Sequence, residues 1–239
     1  MSISRISIAQ ALLDALGNGT YLEIGVNTGS SFIPIEARRK WGVDPSYTIS
    51  SWRLAKYAVF SSLGIRFEKL FRMTSDDFFL KQETLLNSYG VDVCLIDGLH
   101  TYEQALKDVL NSLKYLKSRG VILLHDCNPM TELMGVPAAG IEELMRQGIP
   151  QWDGAWSGDV WKTVVHLRAL RDDVDAFVLD CDTGVGVVTK RRPKTPLSYT
   201  ENDIRAMDYG FFSSNREVLL DLRSSEYFRE FLCSIATTR

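Results

Sequence analysis

The chain has 239 residues, 45% of them apolar and 24% charged, which is typical of one large globular α/β domain with room for an added subdomain. Its formal net charge of -3 at pH 7 lacks the basic excess that nucleic-acid partners require, and no apolar stretch reaches membrane-spanning length. The N-terminus does not resemble a signal peptide, because Gln10 and Asp14 interrupt its apolar residues at helical spacing. Four cysteines without paired spacing predict a reducing, cytoplasmic setting.

The first part of the chain alternates between apolar stretches with strand character and stretches with a helical period. Ser75 is predicted as the N-cap of a short helix that begins at Asp76, and Gly64 as the stop of the preceding helix. Strands that alternate with helices indicate a parallel sheet wrapped on both faces. The predicted order is helix 6–16, strand 21–26, helix 31–39, strand 41–43, helix 50–63, strand 66–70 and the short helix.

Segment 91–128 has the most informative pattern in the chain: an apolar strand, an amphipathic helix and a second apolar strand. Asp97 and His100 follow the first strand, and His125 and Asp126 follow the second. A unit this short joins two parallel strands by a right-handed crossover, so both strands end at the same edge of the sheet. Open α/β sheets bind ligands at this carboxyl edge. The two aspartates and two histidines therefore form a candidate site for metal-assisted chemistry.

The pattern changes after residue 128, where a stretch rich in Pro, Gly and Met is expected to form a loop over the carboxyl edge. Asp182-Thr183-Gly184 joins two strands as a hairpin, which adds an antiparallel strand to the sheet. Three tryptophans precede it, and we expect them to pack in the core more often than to form a platform for a sugar ring. They are Trp152, Trp156 and Trp161. Helices are predicted at 141–147, 160–170, 201–207 and 224–233, and the chain is divided into a domain of residues 1–192 and a helical C-terminal extension of residues 193–239 packed on it.

A second candidate site follows the first strand, in the sequence TYLEIGVNTGSS. Glu23 lies inside the apolar strand, and Gly25 and Gly29 flank the turn that comes next, where glycine permits positive φ and close approach of a ligand. The predicted helix start near Ser30 offers free N–H groups to a negatively charged group. Asn27 takes the place of the second glycine of the dinucleotide fingerprint G-x-G-x-x-G, which argues against a nicotinamide cofactor.

Polar residues also follow the next two predicted strands. Asp44 is placed to accept hydrogen bonds from ribose hydroxyls, and Ser75 and Asp76 offer a donor and an acceptor to an adenine edge. The glycine turn alone is a weak signal. Together with Asp44, Ser75, Asp76 and Asp97 at successive strand ends, it indicates a site for an adenosyl cofactor.

These residues resemble a known family. The sequence from Glu23 to Gly29 is similar to motif I of the class I S-adenosylmethionine-dependent methyltransferases, and Asp44 matches their acidic residue after the second strand. The resemblance covers about 20–190, so residues 1–192 become the methyltransferase domain. It implies an α/β fold with a doubly wound, mostly parallel seven-stranded sheet, Rossmann-like, with an antiparallel last strand. Within the class, IDGLHTYE and LLHDCN resemble the small metal-dependent O-methyltransferases, including the macrocin-type sugar methyltransferases and the cephalosporin hydroxylase-like group.

The resemblance also implies roles for the residues of segment 91–128. In those relatives an Asp after the fourth strand and an Asp after the fifth bind Mg²⁺, which match Asp97 and Asp126, and a His matching His100 is the base. Relatives often carry a second oxygen-bearing side chain beside the second Asp, whereas here the neighbours are His125 and Cys127. His125 is therefore open between a role as third metal ligand and a supporting role around the metal. Because side chains alternate along a strand, Asp126 is the stronger candidate unless the strand ends before it.

The implied reaction is transfer of the methyl group of S-adenosylmethionine to a hydroxyl of a small polar acceptor, a sugar or a glycan or natural-product precursor. A cation on Asp97 and Asp126 would lower the pKa of that hydroxyl, and His100 would take its proton. The resemblance makes a homo-oligomer plausible. Two other functions stay open: a nicotinamide-dependent dehydrogenase, and a non-catalytic nucleotide-binding protein of the same fold.

Overall fold

A computed structural model describes residues 3–50, 67–138, 140–148 and 154–237 of the chain. In these residues the strands form one mixed sheet of eight strands, in which parallel strands at one side adjoin an antiparallel hairpin. The strands are β1 (Thr20–Ile24), β2 (Arg39–Val43), β3 (Phe67–Phe71), β4 (Val91–Ile96), β5 (Leu116–Leu124), β6 (Asp175–Leu179), β7 (Val185–Thr189) and β8 (Leu222–Arg223). Their order is β3-β2-β1-β4-β5-β7-β6-β8, so the predicted doubly wound α/β fold is confirmed.

The described residues also contain nine helices, which cover the sheet. They are α1 (Arg5–Ala15), α2 (Ser75–Lys81), α3 (Glu83–Tyr89), α4 (Tyr102–Tyr115), α5 (Ile141–Gln147), α6 (Trp161–Leu170), α7 (Glu201–Ala206), α8 (Tyr209–Leu220) and α9 (Tyr227–Thr237). Helix α4 shows how the pattern makes the element: Thr101 caps its N-terminus, and Tyr102, Ala105, Val109 and Leu113 are buried along one face. Among the described helices, none has both the length and the apolar composition of a membrane crossing.

Two apolar clusters cover the two faces of the sheet, because successive residues of each central strand point to opposite sides. In β4, Cys94 and Ile96 belong to one cluster, which includes residues of α2, α4, α6 and α8. Val93 and Leu95 belong to the other, which includes residues of α1 and α9. Strand β4 is buried on both faces, which explains why its sequence is a nearly continuous apolar run.

The predicted helix 31–39 is wrong: the chain makes turns up to residue 34 and enters β2 at Arg39. Pro34 lacks an N–H and disfavours a helical residue before it, which interrupts the helical ladder. Lys40 then binds carbonyls that a helix would use, since its Nζ donates to the oxygens of Phe32 (3.1 Å) and Ile35 (2.9 Å). Ser30 therefore does not lie at the N-terminus of a helix, and the predicted free N–H groups of a helix start are not found there.

Smaller differences are found elsewhere. The N-cap of α2 is Thr74, whose side chain accepts from the N–H of Asp77, and Ser75 is the first helical residue. The sheet has an eighth strand because β8, from the C-terminal segment, pairs in parallel with β6. Helices α3 and α8 have no counterpart in the prediction, and helix 50–63 lies outside the described residues except for residue 50.

The topology brings distant parts of the chain to one edge. Strands β1, β2, β3, β4 and β5 are parallel, so all of them end at the carboxyl edge. Strand β7 runs antiparallel to β5, so the turn between β6 and β7 also lies there. The residues that follow each strand therefore line a common site.

Candidate active site at the carboxyl edge

A cleft of about 740 Å³ lies over the carboxyl ends of β1, β2 and β4. Most of the residues that the sequence assigned to cofactor binding line it: Gly25, Asn27, Ser30, Asp44, Ser75, Asp76 and Asp97. His100, Arg5, Gln104, Asp108 and Trp156 line it as well. Its volume falls in the range of about 300–1,000 Å³ that is usual for small-molecule sites. Four carboxylates among these residues suit a ligand with positive charge, amino groups and hydroxyls.

Glu23 is not in the lining of this cleft, although it was predicted to bind cofactor. Its side chain is fully buried and accepts hydrogen bonds from the hydroxyls of Tyr21 (2.5 Å) and Ser31 (2.7 Å). Burial raises the pKa of Glu23 to about 7, although both hydroxyls and the charge of Lys40 oppose the shift. Glu23 thus ties the loop after β1 to the strand. Gly29 lies outside the lining too, and a Cβ there would press on Ile33 and Ile49.

Gly25 allows the ends of β1 and β4 to meet. Its φ is +88°, and a Cβ built on it would lie 2.0 Å from the carbonyl oxygen of Asp97. Two residues later, the N–H of Asn27 donates to Asp44 Oδ2 at 2.8 Å, and the N–H of Ser46 donates to Asp44 Oδ1 at 2.7 Å. Both oxygens of Asp44 are thereby fixed at the cleft while keeping further lone pairs for a ligand.

Gln104 of α4 binds Ser75, at the end of the cleft where the adenine is predicted, and Asp108 of its own helix. Its Nε2 donates to Ser75 Oγ and to Asp108 Oδ1, each at 3.1 Å. Burial raises the pKa of Asp108 to about 6. Asp108 was not predicted as a site residue, because in the sequence it is an ordinary polar residue of the amphipathic helix α4.

At the other end of the cleft, Asp97, His100 and Asp126 form a cluster. One ligand atom from each lies within 4.8 Å of the others. His100 Nε2 is 3.6 Å from Asp97 Oδ1 and 3.3 Å from Asp126 Oδ2. These three residues were brought together by the predicted strand–helix–strand unit, and their side chains converge as the sequence indicates.

The carbonyl of Trp156 fixes the tautomer of His100. It lies 2.8 Å from His100 Nδ1, and a carbonyl oxygen only accepts, so Nδ1 carries a hydrogen. In neutral His100 the lone pair is then on Nε2, which faces two carboxylates. Three acceptor atoms then face one another, and a proton on Nε2 or a bound cation at this point would reduce their repulsion. Burial lowers the pKa of His100, but Asp97 and Asp126 outweigh it and raise that pKa.

His125 also faces the cluster. Strand β5 ends at Leu124, and Asp126 has a left-handed backbone with φ 60°, so strand alternation does not apply to either residue. His125 Nδ1 lies 3.1 Å from Asp97 Oδ1 and 2.9 Å from Asp126 Oδ2. Burial alone would lower the pKa of His125, but Asp126, Asp182 and Asp97 raise it to about 11. Nδ1 therefore keeps its proton near neutral pH and donates to the two carboxylates.

The charges of the two histidines and of Arg5 keep the carboxylates ionised. Burial raises the pKa of Asp97, but His100, His125 and Arg5 overcome it and hold that pKa well below its usual range. The pKa of Asp126 is lowered in the same way, against burial, by His125 and His100. The site therefore presents two ionised carboxylates near neutral pH.

Several residues of the site were not predicted, and they come from outside the strand–helix–strand unit. They are Arg5, Trp156, Ser157, Asp182 and Thr183. The sequence does contain a signal for Asp182 and Thr183. They lie in the predicted hairpin turn, and an antiparallel strand next to β5 brings that turn to the carboxyl edge. Arg5, the first residue of α1, has no comparable local signal.

The tryptophans take different roles. Trp161 is buried against Phe212, with ring centroids 4.4 Å apart, as expected for a core residue. Trp156 lines the cleft beside His100, with ring centroids 5.2 Å apart. Trp152 lies outside the described residues.

Comparisons with known proteins found a match to one family model and several solved structures with a similar fold. Residues 22–127 match a family model described as "Methyltransferase domain", and no curated protein sequence matches the chain. Among solved structures, the chain is similar to the O-methyltransferase TomG from Streptomyces achromogenes, with 15% identity, a TM-score of 0.49, and coverage of 80% of this chain and 82% of that one. It is similar to an O-methyltransferase from Bacillus cereus, with 15% identity, a TM-score of 0.49 and coverage of 79% and 82%.

A third similar structure is MycE of mycinamycin biosynthesis, solved with Mg, SAH and mycinamycin VI; the identity is 15%, the TM-score 0.43, and the coverage 83% of this chain and 50% of that one. The family match over residues 22–127 covers β1, β2, β3, β4 and β5, whose carboxyl ends form the site. This match confirms the predicted resemblance to methyltransferases over residues 22–127, and the strand order agrees with the predicted doubly wound α/β fold.

Proposed function

We propose that the protein transfers the methyl group of S-adenosylmethionine to a hydroxyl of a small polar acceptor, with the help of a divalent cation. The observation that carries the proposal is the continuity of the cleft. It runs from Asp44, Ser75 and Asp76 to Asp97 and His100, so an adenosyl group and a reacting hydroxyl fit in one cavity.

The lining suits S-adenosylmethionine chemically. Asp44 offers carboxylate oxygens to ribose hydroxyls, and Ser75 and Asp76 offer a donor and an acceptor to the adenine edge. Asp97, ionised at the other end, favours the positive charges of the sulfonium and the amino group. In this proposal Glu23 and Gly29, which lie outside the lining, shape the loop after β1 and do not contact the cofactor.

The cluster suits a divalent cation because carboxylate oxygens of Asp97 and Asp126 converge beside His100 Nε2. We assign Asp97 Oδ1 and Asp126 Oδ2 as the protein ligands, since hard carboxylate oxygens favour Mg²⁺ or Mn²⁺. His125, predicted as a third ligand, acts instead as the donor that holds both oxygens, because its Nδ1 carries a proton. A bound cation would lower the pKa of an acceptor hydroxyl nearby.

His100 is the proposed base. Its Nε2 accepts the proton of the acceptor hydroxyl while the acceptor oxygen bonds to the methyl carbon and the carbon–sulfur bond breaks, leaving its electron pair on sulfur. The carbonyl of Trp156 holds the hydrogen of Nδ1, so the lone pair of neutral His100 lies on Nε2. The cleft walls orient the reactants, because in-line displacement depends mainly on alignment.

The acceptor is proposed to be a sugar or a related polyhydroxylated precursor. Trp156 lines the cleft beside His100, and an aromatic face packs well on the C–H face of a sugar ring. We propose a cytoplasmic setting, which is consistent with four free cysteines.

Isothermal titration calorimetry with S-adenosylmethionine and with NAD tests the cofactor. We expect binding of S-adenosylmethionine alone; binding of NAD alone would favour a dehydrogenase. Release of S-adenosylhomocysteine over a panel of sugars and glycosides tests the reaction. Activity should vanish in EDTA and return with Mg²⁺, whereas full activity in EDTA would remove the cation from the mechanism.

A further inference from the structure

Asp126 presents only one of its oxygens to the interior of the cluster. Its Oδ1 accepts hydrogen bonds from two hydroxyls, Ser157 Oγ at 2.9 Å and Thr183 Oγ1 at 2.8 Å. Its Oδ2 faces His100 Nε2 at 3.3 Å and His125 Nδ1 at 2.9 Å. The two hydroxyls thus hold one oxygen from outside and direct the other inward.

Asp97 also has one oxygen directed away from the interior of the cluster, where it forms an ion pair with Arg5. Its Oδ2 lies 3.4 Å from Arg5 Nε, while its Oδ1 faces His125 Nδ1 at 3.1 Å and His100 Nε2 at 3.6 Å. Arg5 is itself anchored, because Asp182 accepts from its Nη1 at 3.0 Å and from its backbone N–H at 2.8 Å. One oxygen of each carboxylate therefore faces residues outside the strand ends, through hydrogen bonds at Asp126 and through an ion pair at Asp97.

The backbone that carries Thr183 adopts a costly conformation. Asp182, Thr183 and Gly184 have successive positive φ values of 48°, 59° and 88°. Such conformations are unfavourable for residues other than glycine, and they persist where surrounding contacts enforce them. Here the N–H of Asn128 donates to the carbonyl of Thr183 at 2.9 Å, and the N–H of Cys127 donates to that of Gly184 at 3.0 Å. The turn is thus bonded to the segment that carries Asp126.

We propose that Arg5, Ser157 and Thr183 are positioning residues that restrict Asp97 and Asp126 to one coordinating oxygen each, and so select a small octahedral cation over Ca²⁺. Mg²⁺ and similar ions take single carboxylate oxygens in near-octahedral geometry, whereas Ca²⁺ accepts both oxygens of a carboxylate. The two hydroxyls at Asp126 and the ion pair at Asp97 oppose the rotation that would turn both oxygens of a carboxylate toward one ion. This inference rests on the cation of the proposed function and assigns its selectivity to residues outside the ligand set.

A pair of variants at Thr183 separates its hydroxyl from its methyl group. Thr183→Val keeps the branched shape and the same backbone preference but removes the hydroxyl, whereas Thr183→Ser keeps the hydroxyl. Mn²⁺ serves as the probe, with free Mn²⁺ measured by electron paramagnetic resonance and Ca²⁺ affinity measured by competition. S-adenosylmethionine affinity, measured by calorimetry, reports whether each variant is folded.

We expect Thr183→Val to weaken Mn²⁺ binding by about 10-fold or more, as loss of supporting hydrogen bonds does at metal sites, and to weaken Ca²⁺ binding less. The ratio of Mn²⁺ to Ca²⁺ affinity then falls. Thr183→Ser should keep the wild-type ratio. Ser157→Ala removes the second hydroxyl from a different element and should lower the ratio as well, which keeps the test valid if Thr183→Val does not fold.

The outcomes distinguish this inference from the proposed function. If the wild-type protein binds Mn²⁺ and the hydroxyl-deficient variants keep its affinity and its ratio to Ca²⁺, the positioning role is overturned and the proposed function stands. If Thr183→Ser loses selectivity as Thr183→Val does, packing rather than the hydroxyl is responsible and the inference is again wrong. A wild-type protein that binds no Mn²⁺ overturns both the cation of the proposed function and the inference.

Discussion

Replacing Glu23 by glutamine should stabilise the protein at pH 8 and have little effect at pH 5. The carboxyl is fully buried, and its pKa rises from 4.5 to about 7 on folding. A raised pKa means that the protonated form is favoured in the native state. Its contribution to stability is therefore complete below pH 4.5 and is lost as the pH rises through about 7.

The magnitude follows from that difference in pKa. Each pKa unit corresponds to about 1.4 kcal/mol, so the native state loses about 3 kcal/mol by pH 8 and less than about 1 kcal/mol at pH 5. Glutamine removes the charge and keeps both hydrogen bonds, because the hydroxyls of Tyr21 and Ser31 can each donate or accept. The variant should thus gain about 2–3 kcal/mol over the wild type at pH 8.

Urea unfolding followed by tryptophan fluorescence, at several pH values between 5 and 8, measures this gain. Glu83→Gln, at an exposed glutamate of α3, is the matched control for loss of a surface charge. A difference between wild type and Glu23→Gln that stays constant over this pH range would refute the burial argument.

Three further predictions concern the site. His100→Gln should lower kcat by about 10²–10⁴-fold with unchanged S-adenosylmethionine affinity, and unaltered kcat would contradict its role as base. Gly158→Ala should lower the free energy of unfolding by about 2 kcal/mol or more, measured in urea, because residue 158 has φ +58° and its Cβ would lie 1.8 Å from the carbonyl oxygen of His100. Asp44→Asn should weaken S-adenosylmethionine binding about 10-fold or more, measured by calorimetry, because a charged acceptor is lost; equal affinity would place the ribose elsewhere.

The sequence predicts the parallel part of the sheet well because its signals are local. Apolar runs with turn signals define β1, β4 and β5, and the helical period between β4 and β5 forces Asp97, His100 and Asp126 to one edge. The prediction of helix 31–39 failed because a tertiary contact determines the backbone conformation there: Lys40 binds carbonyl oxygens of this segment.

The residues that support the site could not be predicted from the sequence, for a different reason. Arg5 and Asp182 are 177 positions apart, and nothing near either residue in sequence shows that they meet. The inward direction of His125 depends on the end of β5 at Leu124 and on the positive φ of Asp126, which an alternating pattern does not reveal. Side-chain direction just past a strand end is set by the neighbouring turn.

The contact between Arg5 and Asp182 also bears on how the protein folds. It closes a loop of 177 positions, and we expect such a contact to form late because loop closure costs entropy before any contact compensates for it. The site is completed only when the first helix and the last hairpin have both reached the sheet. A cation that binds there would bind the finished fold and not its partly assembled precursors, and would act as a folding ligand whose concentration sets the apparent stability.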